Sequence, residues 1–514
     1  MDREEVDIVS FMSADKSMIV APAGHGKTHT IVDCLEHYEY KYKKILILTH
    51  THAGIASIKE KISSRNISST IYDINTICSF TLNLTSAYIP ESRLPDDSDM
   101  HHKYGKALEF ANRLLLAKPI RSVLEAKYEH VIVDEYQDCD IIQHQLISRL
   151  GEIIKIHILG DAMQGIFGFN GIPVDLNSSE FDVYRDNQQT LNTPWRWINE
   201  GCPELGDEIL QIRCLLDNKQ DVDLRQYKHI EFIETRINDL YWHSKSKFDT
   251  PPEIIQVLRH FLSDKYKGNL LVIHPQTYQK DSRIKLTKNL YNLGMLESID
   301  DSDFYNTVNA FENKTGEELI AAIIDFLRDT CISSSLGDWF HSDGSLVAVK
   351  KEEKRPINRA LSEIIDSLIS QKSYSLISSG LSQISKLLNL KVARKDVYYT
   401  IQRILMDADH RNITLSEALK LNRDKVRRIG RNIKGKYIGT TLLTKGLECD
   451  TVIVLNAHEF PDERHLYVAL SRCSKRLIVA SEKAILSPYP KQNKKRKQTD
   501  AIQLSLFPEL EIEQ

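Results

Sequence analysis

The stretch Met18–Thr30, MIVAPAGHGKTHT, constrains this chain more than any other. Met18, Ile19 and Val20 read as a buried parallel strand, and Ile31–His37 as the start of a helix. Between them lies a small-residue loop that closes on Gly26, Lys27 and Thr28, with Ala21 where the strict phosphate-loop pattern has its first glycine. A strand–loop–helix of this kind points several backbone N–H groups at one spot at a helix N-terminus, which makes an anion nest. Ala23, Gly24, His25, Gly26, Lys27, Thr28 and His29 are therefore the candidate nucleotide-binding residues. Lys27 would reach the β- and γ-phosphates, and the Thr28 hydroxyl would bind Mg²⁺.

At 514 residues the chain has room for several domains. Its formal net charge of −4 gives no global attraction to nucleic acid, so any such track must be a local basic surface. The eight cysteines are scattered without paired metal-ligand spacing, which predicts reduced thiols. The acidic start MDREEVDIVSF lacks a signal-peptide pattern and no apolar run reaches membrane-span length, so a cytoplasmic protein with no membrane partner is expected.

Short apolar runs alternate with helical patterns, which predicts a doubly wound parallel α/β sheet. Candidate strands are Ile45–Thr49, His130–Asp134 and Ile156–Gly160, and Asp73–Phe80 reads as a short strand and turn. From about residue 81 to 126 the text turns polar, with a helical stretch over Lys103–Leu116, and reads as a small helical insertion. A second unit begins near Leu191, with strands at Asn269–Ile273, Tyr437–Thr440, Thr451–Leu455 and Leu477–Ala480. Residues 291–432 are charged, mostly helical and read as a domain inserted into that unit.

Two further stretches carry chemistry at strand ends, where open α/β sheets bind ligands. In VIVDEYQD, Asp134 can hold Mg²⁺ opposite Thr28, and Glu135 can orient or deprotonate an attacking water. In GDAMQGIFGF, Gln164 can hydrogen-bond a γ-phosphate or that water.

The phosphate loop, THTHAG, VIVDEYQD, GDAMQGIFGF, LNTPWRW, TKGLECD and YVALSR together resemble the ordered motif set of UvrD/Rep-type superfamily 1 DNA helicases. The resemblance implies two RecA-like parallel-sheet cores that use ATP and Mg²⁺. Core 1A would take residues 1–80 and 127–190, with a helical insertion at 81–126. Core 2A would take 191–290 and 433–488, with a second helical insertion at 291–432. It further implies that Trp195 stacks on the base, that Arg196 and Arg472 touch the γ-phosphate, and that Glu448, beside Lys445 and Gly446, faces the ribose. His50, Phe167 and Phe169 match positions that contact bases of a single strand, a role for which flat rings suit any sequence. The first glutamine of the chain is Gln137, so the family's upstream adenine-reading glutamine has no counterpart ahead of the loop. Asn170 and Leu442 replace the usual arginine and histidine of their motifs.

After residue 488 the text is polar and basic, through Lys494–Lys497, and then carries QLSLF at Gln503–Phe507. That peptide resembles those with which bacterial proteins bind the polymerase sliding clamp, with Gln503 as the hydrogen-bonder and Leu504, Leu506 and Phe507 as apolar anchors. The expected function is an ATP-driven single-stranded DNA translocase or 3′–5′ helicase acting on single-stranded or tailed DNA. The alternative is a DNA-activated nucleotidase or sensor subunit that works with a separate OLD-type nuclease, as in Gabija-type antiphage systems. A non-catalytic scaffold tethered by the tail is the reading least in keeping with the full motif set.

Overall fold

The computed structural model describes residues 6–39, 42–90, 100–166, 172–235, 253–275, 280–290, 292–297, 302–332, 336–349, 351–429 and 435–489. Two six-stranded, wholly parallel sheets organise it. The first holds β1 (Lys16–Val20), β2 (Lys44–Thr49), β3 (Tyr72–Thr76), β4 (Tyr128–Val133), β5 (Lys155–Gly160) and β6 (Gln188–Thr190), in the order β3-β2-β4-β5-β1-β6. The second holds β7 (Ile230–Glu234), β8 (Leu270–His274), β9 (Gly294–Met295), β10 (Lys436–Thr440), β11 (Cys449–Val454) and β12 (Cys473–Ser481), in the order β9-β10-β8-β11-β12-β7. These are the two RecA-like α/β cores.

The apolar runs are continuous because both faces of each sheet are covered. Alternation across the pleat then sorts their residues between two cores. Leu46, Leu48, Val131, Val133, Ile156 and Ile158 pack on one side of the first sheet. Ile19, Ile45, Ile47, Ile132 and Leu159 pack on the other.

Two departures from the sequence reading have local causes. The strand read within Asp73–Phe80 is present, but β3 ends at Thr76 and a helix, not a turn, runs from Ile77 to Tyr88. Thr76 caps that helix by accepting the Ser79 N–H at 2.9 Å, so the chain turns helical one residue after the strand ends. The other departure is that β6, β7 and β9 have no counterpart among the candidate strands. All three lie at sheet edges, and β9 spans only two residues, so their sequences lack the long apolar run of a central strand.

The helices Ile77–Tyr88, Met100–Leu114 and Lys118–Lys127 bury Phe80, Leu84, Leu108, Ala111, Ile120 and Leu124 in the same cluster as Leu46 and Val131. They are layers of the first core, since their apolar stripes pack on its sheet.

Six helices between Ser302 and Ile429 surround a separate core of Phe304, Phe311, Ile323, Leu361, Ile377, Leu381, Ile401 and Ile404. At its junction with the second core, the wholly buried Arg394 donates to Glu297 at 2.7 Å and to Asp303 at 2.5 Å, and also contacts Asp329. All eight cysteines are unpaired, five of them buried. Among the described residues no helix is long and apolar enough to cross a membrane.

Candidate nucleotide site between two cores

The phosphate loop leaves the carboxyl end of β1 and enters a helix that starts at Lys27. Gly24 and Gly26 take the left-handed conformation, at φ +76° and +94°. A side chain at either would also collide with the second unit. A Cβ on Gly24 would lie 2.9 Å from the Trp197 ring, and one on Gly26 would lie 2.9 Å from the Trp195 ring. The loop is thus glycine-rich for two reasons, its own turn and the close approach of indoles from across the cleft. His25, between them, is buried and donates from Nδ1 to the Ala23 carbonyl at 2.9 Å. Burial holds its ring neutral, with a pKa of about 4.

Strand β4 delivers the acids. Lys27 Nζ lies 3.2 Å from Asp134 Oδ1 and also contacts Glu135 Oε1. Burial alone would lower the Lys27 pKa, but the two carboxylates hold it above its ordinary value. Burial likewise favours the neutral form of Glu135, yet Lys27 and then Lys445 keep this carboxyl ionised, well below the usual range. Glu135 sits at φ +55°, a conformation unusual for a residue with a long side chain, and its N–H donates to Asp134 Oδ1 at 3.0 Å. Gln137 Nε2 donates to Glu135 Oε2 at 2.5 Å, which orients the carboxylate.

The second unit supplies the guanidinium groups. The Arg196 N–H donates to the Gly24 carbonyl at 3.0 Å, so this residue is moored to the phosphate loop by its own backbone. Its side chain donates to the Ser471 carbonyl at 2.5 Å and pairs with Glu448 at 2.7 Å. Arg472 is buried and donates to Val468 O and Ser471 Oγ, both at 2.9 Å. Burial, with the positive Arg196 nearby, brings its pKa down to about 10. Both arginines therefore converge on Ser471, and one of them touches the loop.

Of the two tryptophans in LNTPWRW, Trp197 is core, fully buried, whereas Trp195 lies against Gly26 with 43% of its surface exposed. Gln164 is buried and donates to Asp161 Oδ2 at 3.1 Å and to the Ala21 carbonyl at 3.5 Å. Thr28 is half-buried in the first turn of the loop's helix, and His29 is exposed beside Arg65. Gly446, at φ +79°, faces open space on its Cβ side. His50 follows β2, with Nε2 3.4 Å from Cys139 Sγ, and burial holds its pKa at about 4. Phe167 and Phe169 lie outside the described residues, as do Gln503, Leu504, Leu506 and Phe507.

The structure brings in residues to which the sequence assigned no role. Lys445 of the second unit pairs with Asp138 of VIVDEYQD, both side chains being nearly buried. Tyr467 of YVALSR accepts the Ala23 N–H at 3.0 Å. Arg213, on the helix Pro203–Asp217, grips Asp161 through Nε at 3.2 Å and Nη2 at 2.6 Å. Asp138 and Tyr467 stand inside recognised motifs. Arg213 has no such signal, being one basic residue on an amphipathic helix.

The AAA domain family model matches residues 5–170, which lie within the first core. An ATP-dependent helicase/nuclease component of Streptococcus uberis is 29% identical over 112 residues, 22% of this chain and 9% of that protein. Its counterpart from Streptococcus agalactiae is 23% identical over 146 residues, 28% and 12% of the two chains. A probable DNA helicase II homolog of Rickettsia felis is 33% identical over 73 residues, 14% and 11%. The match thus spans about a tenth of the length of these relatives. Among solved structures, Pif1 helicase from Candida albicans aligns with a TM-score of 0.37 at 13% identity, over 93% of this chain and 95% of that one. The PRRSV helicase aligns with a TM-score of 0.33 at 10% identity, over 93% and 55%. At those scores the alignments add nothing to the strand order. In its ordered motifs and its two RecA-like cores the chain resembles the UvrD/Rep-type superfamily 1 helicases, and the curated relatives it matches over short stretches carry helicase names.

Proposed function

We propose that the chain is an ATP-dependent DNA translocase and helicase, hydrolysing ATP with Mg²⁺ in the cleft between its two cores and moving 3′ to 5′ along a single strand. One observation carries this reading: Lys27, set between Asp134 and Glu135 on one core, faces a loop to which Arg196 of the other core is hydrogen-bonded, with Arg472 beside it.

The residues present fit a nucleoside triphosphate with Mg²⁺. The glycine loop leaves room only for backbone, Trp195 offers an exposed ring beside it, and Thr28 and Asp134 are oxygen donors suited to a hard cation. In this reading Lys27 neutralises phosphate charge and Glu135 accepts the proton of the attacking water while Gln164 orients it. Arg196 and Arg472 stabilise charge that develops on the transferred group. Gly446 and Glu448 border the ribose, and His50, Phe167 and Phe169 contact bases of the strand. The tail peptide at Gln503–Phe507 is assigned to a sliding clamp.

The test is ATPase activity with and without single-stranded DNA, together with strand displacement on a 3′-tailed duplex. Wild type should be stimulated by the strand and should separate the duplex. Lys27→Ala should lower turnover by roughly 10²–10³-fold while melting as a folded protein. An unaltered Lys27→Ala rate would refute the site.

A second reading has one observation in its favour. Helices that would form an independent first insertion are instead absorbed into the first core, leaving less apparatus to grip a duplex. Stimulated hydrolysis without strand displacement would select that reading, a nucleotidase or sensor partnered with a separate OLD-type nuclease.

A further inference from the structure

Arg213 is absent from every motif, yet it makes a close polar contact between the two cores. Its guanidinium, on a helix whose Leu205, Ile209, Ile212 and Leu216 belong to the second core, crosses to Asp161 at the carboxyl end of β5. Both side chains are withdrawn from water, Asp161 to 1% exposure and Arg213 to 8%. The carboxylate is shared. Asp161 Oδ1 accepts the Met163 N–H at 3.1 Å and the Arg213 Nη2 at 2.6 Å, while Oδ2 accepts Gln164 Nε2 at 3.1 Å. Gln164 in turn reaches the Ala21 carbonyl, where the phosphate loop leaves β1.

A second contact runs beside the first. The Arg213 guanidinium lies 6.0 Å from the centre of the Tyr467 ring, and the Tyr467 hydroxyl accepts the loop's Ala23 N–H. The second core therefore holds the phosphate-loop core at two adjacent points, one on its loop backbone and one on the acid that positions Gln164.

We infer that Arg213 is a positioning residue, which through Asp161 makes the placement of Gln164 depend on the position of the second core. This rests on the reading of the cleft as a nucleotide-hydrolysing site. A side-chain amide on a single carboxylate can pivot. The same carboxylate clamped by the planar fork of a guanidinium cannot, because two N–H donors fix both its place and its plane. When the second core draws away, Arg213 releases Asp161, and Gln164 loses the rigid acceptor that aims it. Hydrolysis is thereby confined to the closed arrangement, whereas binding at the loop is not. An ion pair that merely glued the cores together would need no third partner. The bond to Gln164 is what makes this one a coupling device.

Three forms of the full chain test it: wild type, Arg213→Met and Arg213→Lys. Met keeps an unbranched stem beside Tyr467 and removes the fork, while Lys keeps the charge and loses the planar grip. Steady-state ATP hydrolysis is measured with a single-stranded oligonucleotide present. Amide exchange is followed with and without Mg²⁺ and the non-hydrolysable analogue AMP-PNP. Two segments report separately, residues 21–30 for binding and residues 463–470 for closure.

Arg213→Met should lower kcat at least tenfold with KM changed less than threefold. It should keep analogue-dependent protection at 21–30 and lose it at 463–470. Arg213→Lys should fall between Met and wild type, and it decides the matter by the same readouts if the Met variant does not fold. Protection at both segments with kcat within twofold of wild type would overturn the inference. So would loss of protection at 21–30 along with kcat, which would make Arg213 a strut of the fold. If wild type hydrolyses no ATP, the proposed function falls, while the exchange measurements still judge Arg213.

Discussion

The two cores repeat one local structure and put it to different use. In the first, β4 ends at Val133, Glu135 takes the left-handed conformation at φ +55°, and a short 3₁₀ turn follows over Tyr136–Asp138. In the second, β11 ends at Val454, Asn456 takes φ +47°, and a 3₁₀ turn follows over Ala457–Glu459. Asparagine tolerates that conformation. Glutamate bears a strain of about 1–2 kcal/mol there. The strained residue is the one whose carboxylate meets Lys27. Like turns thus differ in strain, and the strained one carries the acid to which the proposed chemistry is assigned.

The largest expected effect tests that contrast directly. Glu135→Gln should reduce ATP hydrolysis by about 10²–10⁴-fold, the range for a lost general base, with AMP-PNP binding retained. Asn456→Gly, at the sister turn, should leave hydrolysis within twofold. Equal losses at the two turns would erase the distinction.

A smaller effect compares glycines across the cleft. Gly26→Ala must adopt φ +94° and push its Cβ against the Trp195 ring, whereas Gly446→Ala at φ +79° meets open space. Both bear the left-handed penalty of about 1–2 kcal/mol. Gly26→Ala should weaken nucleotide binding by at least tenfold more than Gly446→Ala does, measured by titration with a fluorescent ATP analogue. Similar affinities in the two variants would show that Trp195 does not brace the loop.

The smallest effect is on stability in acid. Beneath the first sheet, Ser17 Oγ lies 2.7 Å from His157 Nδ1, and His157 Nε2 lies 2.9 Å from His130 Nδ1. Burial keeps both rings neutral, with pKa values of about 4 for His130 and about 3 for His157. The unfolded chain takes up protons near pH 6.5 that this pair refuses, so stability falls as the pH drops from about 6.5 toward 4. Each ring contributes up to about 1.4 kcal/mol per pH unit. Between pH 7 and pH 5, amide exchange in β4 and β5 should therefore accelerate more than in β11, and a parallel change in all three would remove the histidines from the account.

Much of the candidate site was legible because each motif is a strand end or a helix start, and such places are written in a few consecutive residues. Lys27, Asp134 and Glu135 come together as their spacing implied. What was not legible depends on packing. Trp195 and Trp197 are two residues apart in one motif, yet one is exposed and the other is core, which only the path of their helix decides. Glu448, expected to face the ribose, pairs with Arg196, a partner that its own motif does not announce. The helices after β3 read as an insertion because their text is polar, but their apolar stripes pack on the first sheet.

By itself, the sequence determined the phosphate loop, the two-core plan and the candidates for the reacting groups, since these follow from local backbone conformation and from side-chain chemistry. The tertiary structure alone decided how the cores hold each other. Arg213 on Asp161, Tyr467 on Ala23 and Lys445 on Asp138 join residues 52, 444 and 307 positions apart. No periodicity or spacing encodes such a meeting. It comes about only when the two cores have packed together and the polar groups trapped between them must find partners.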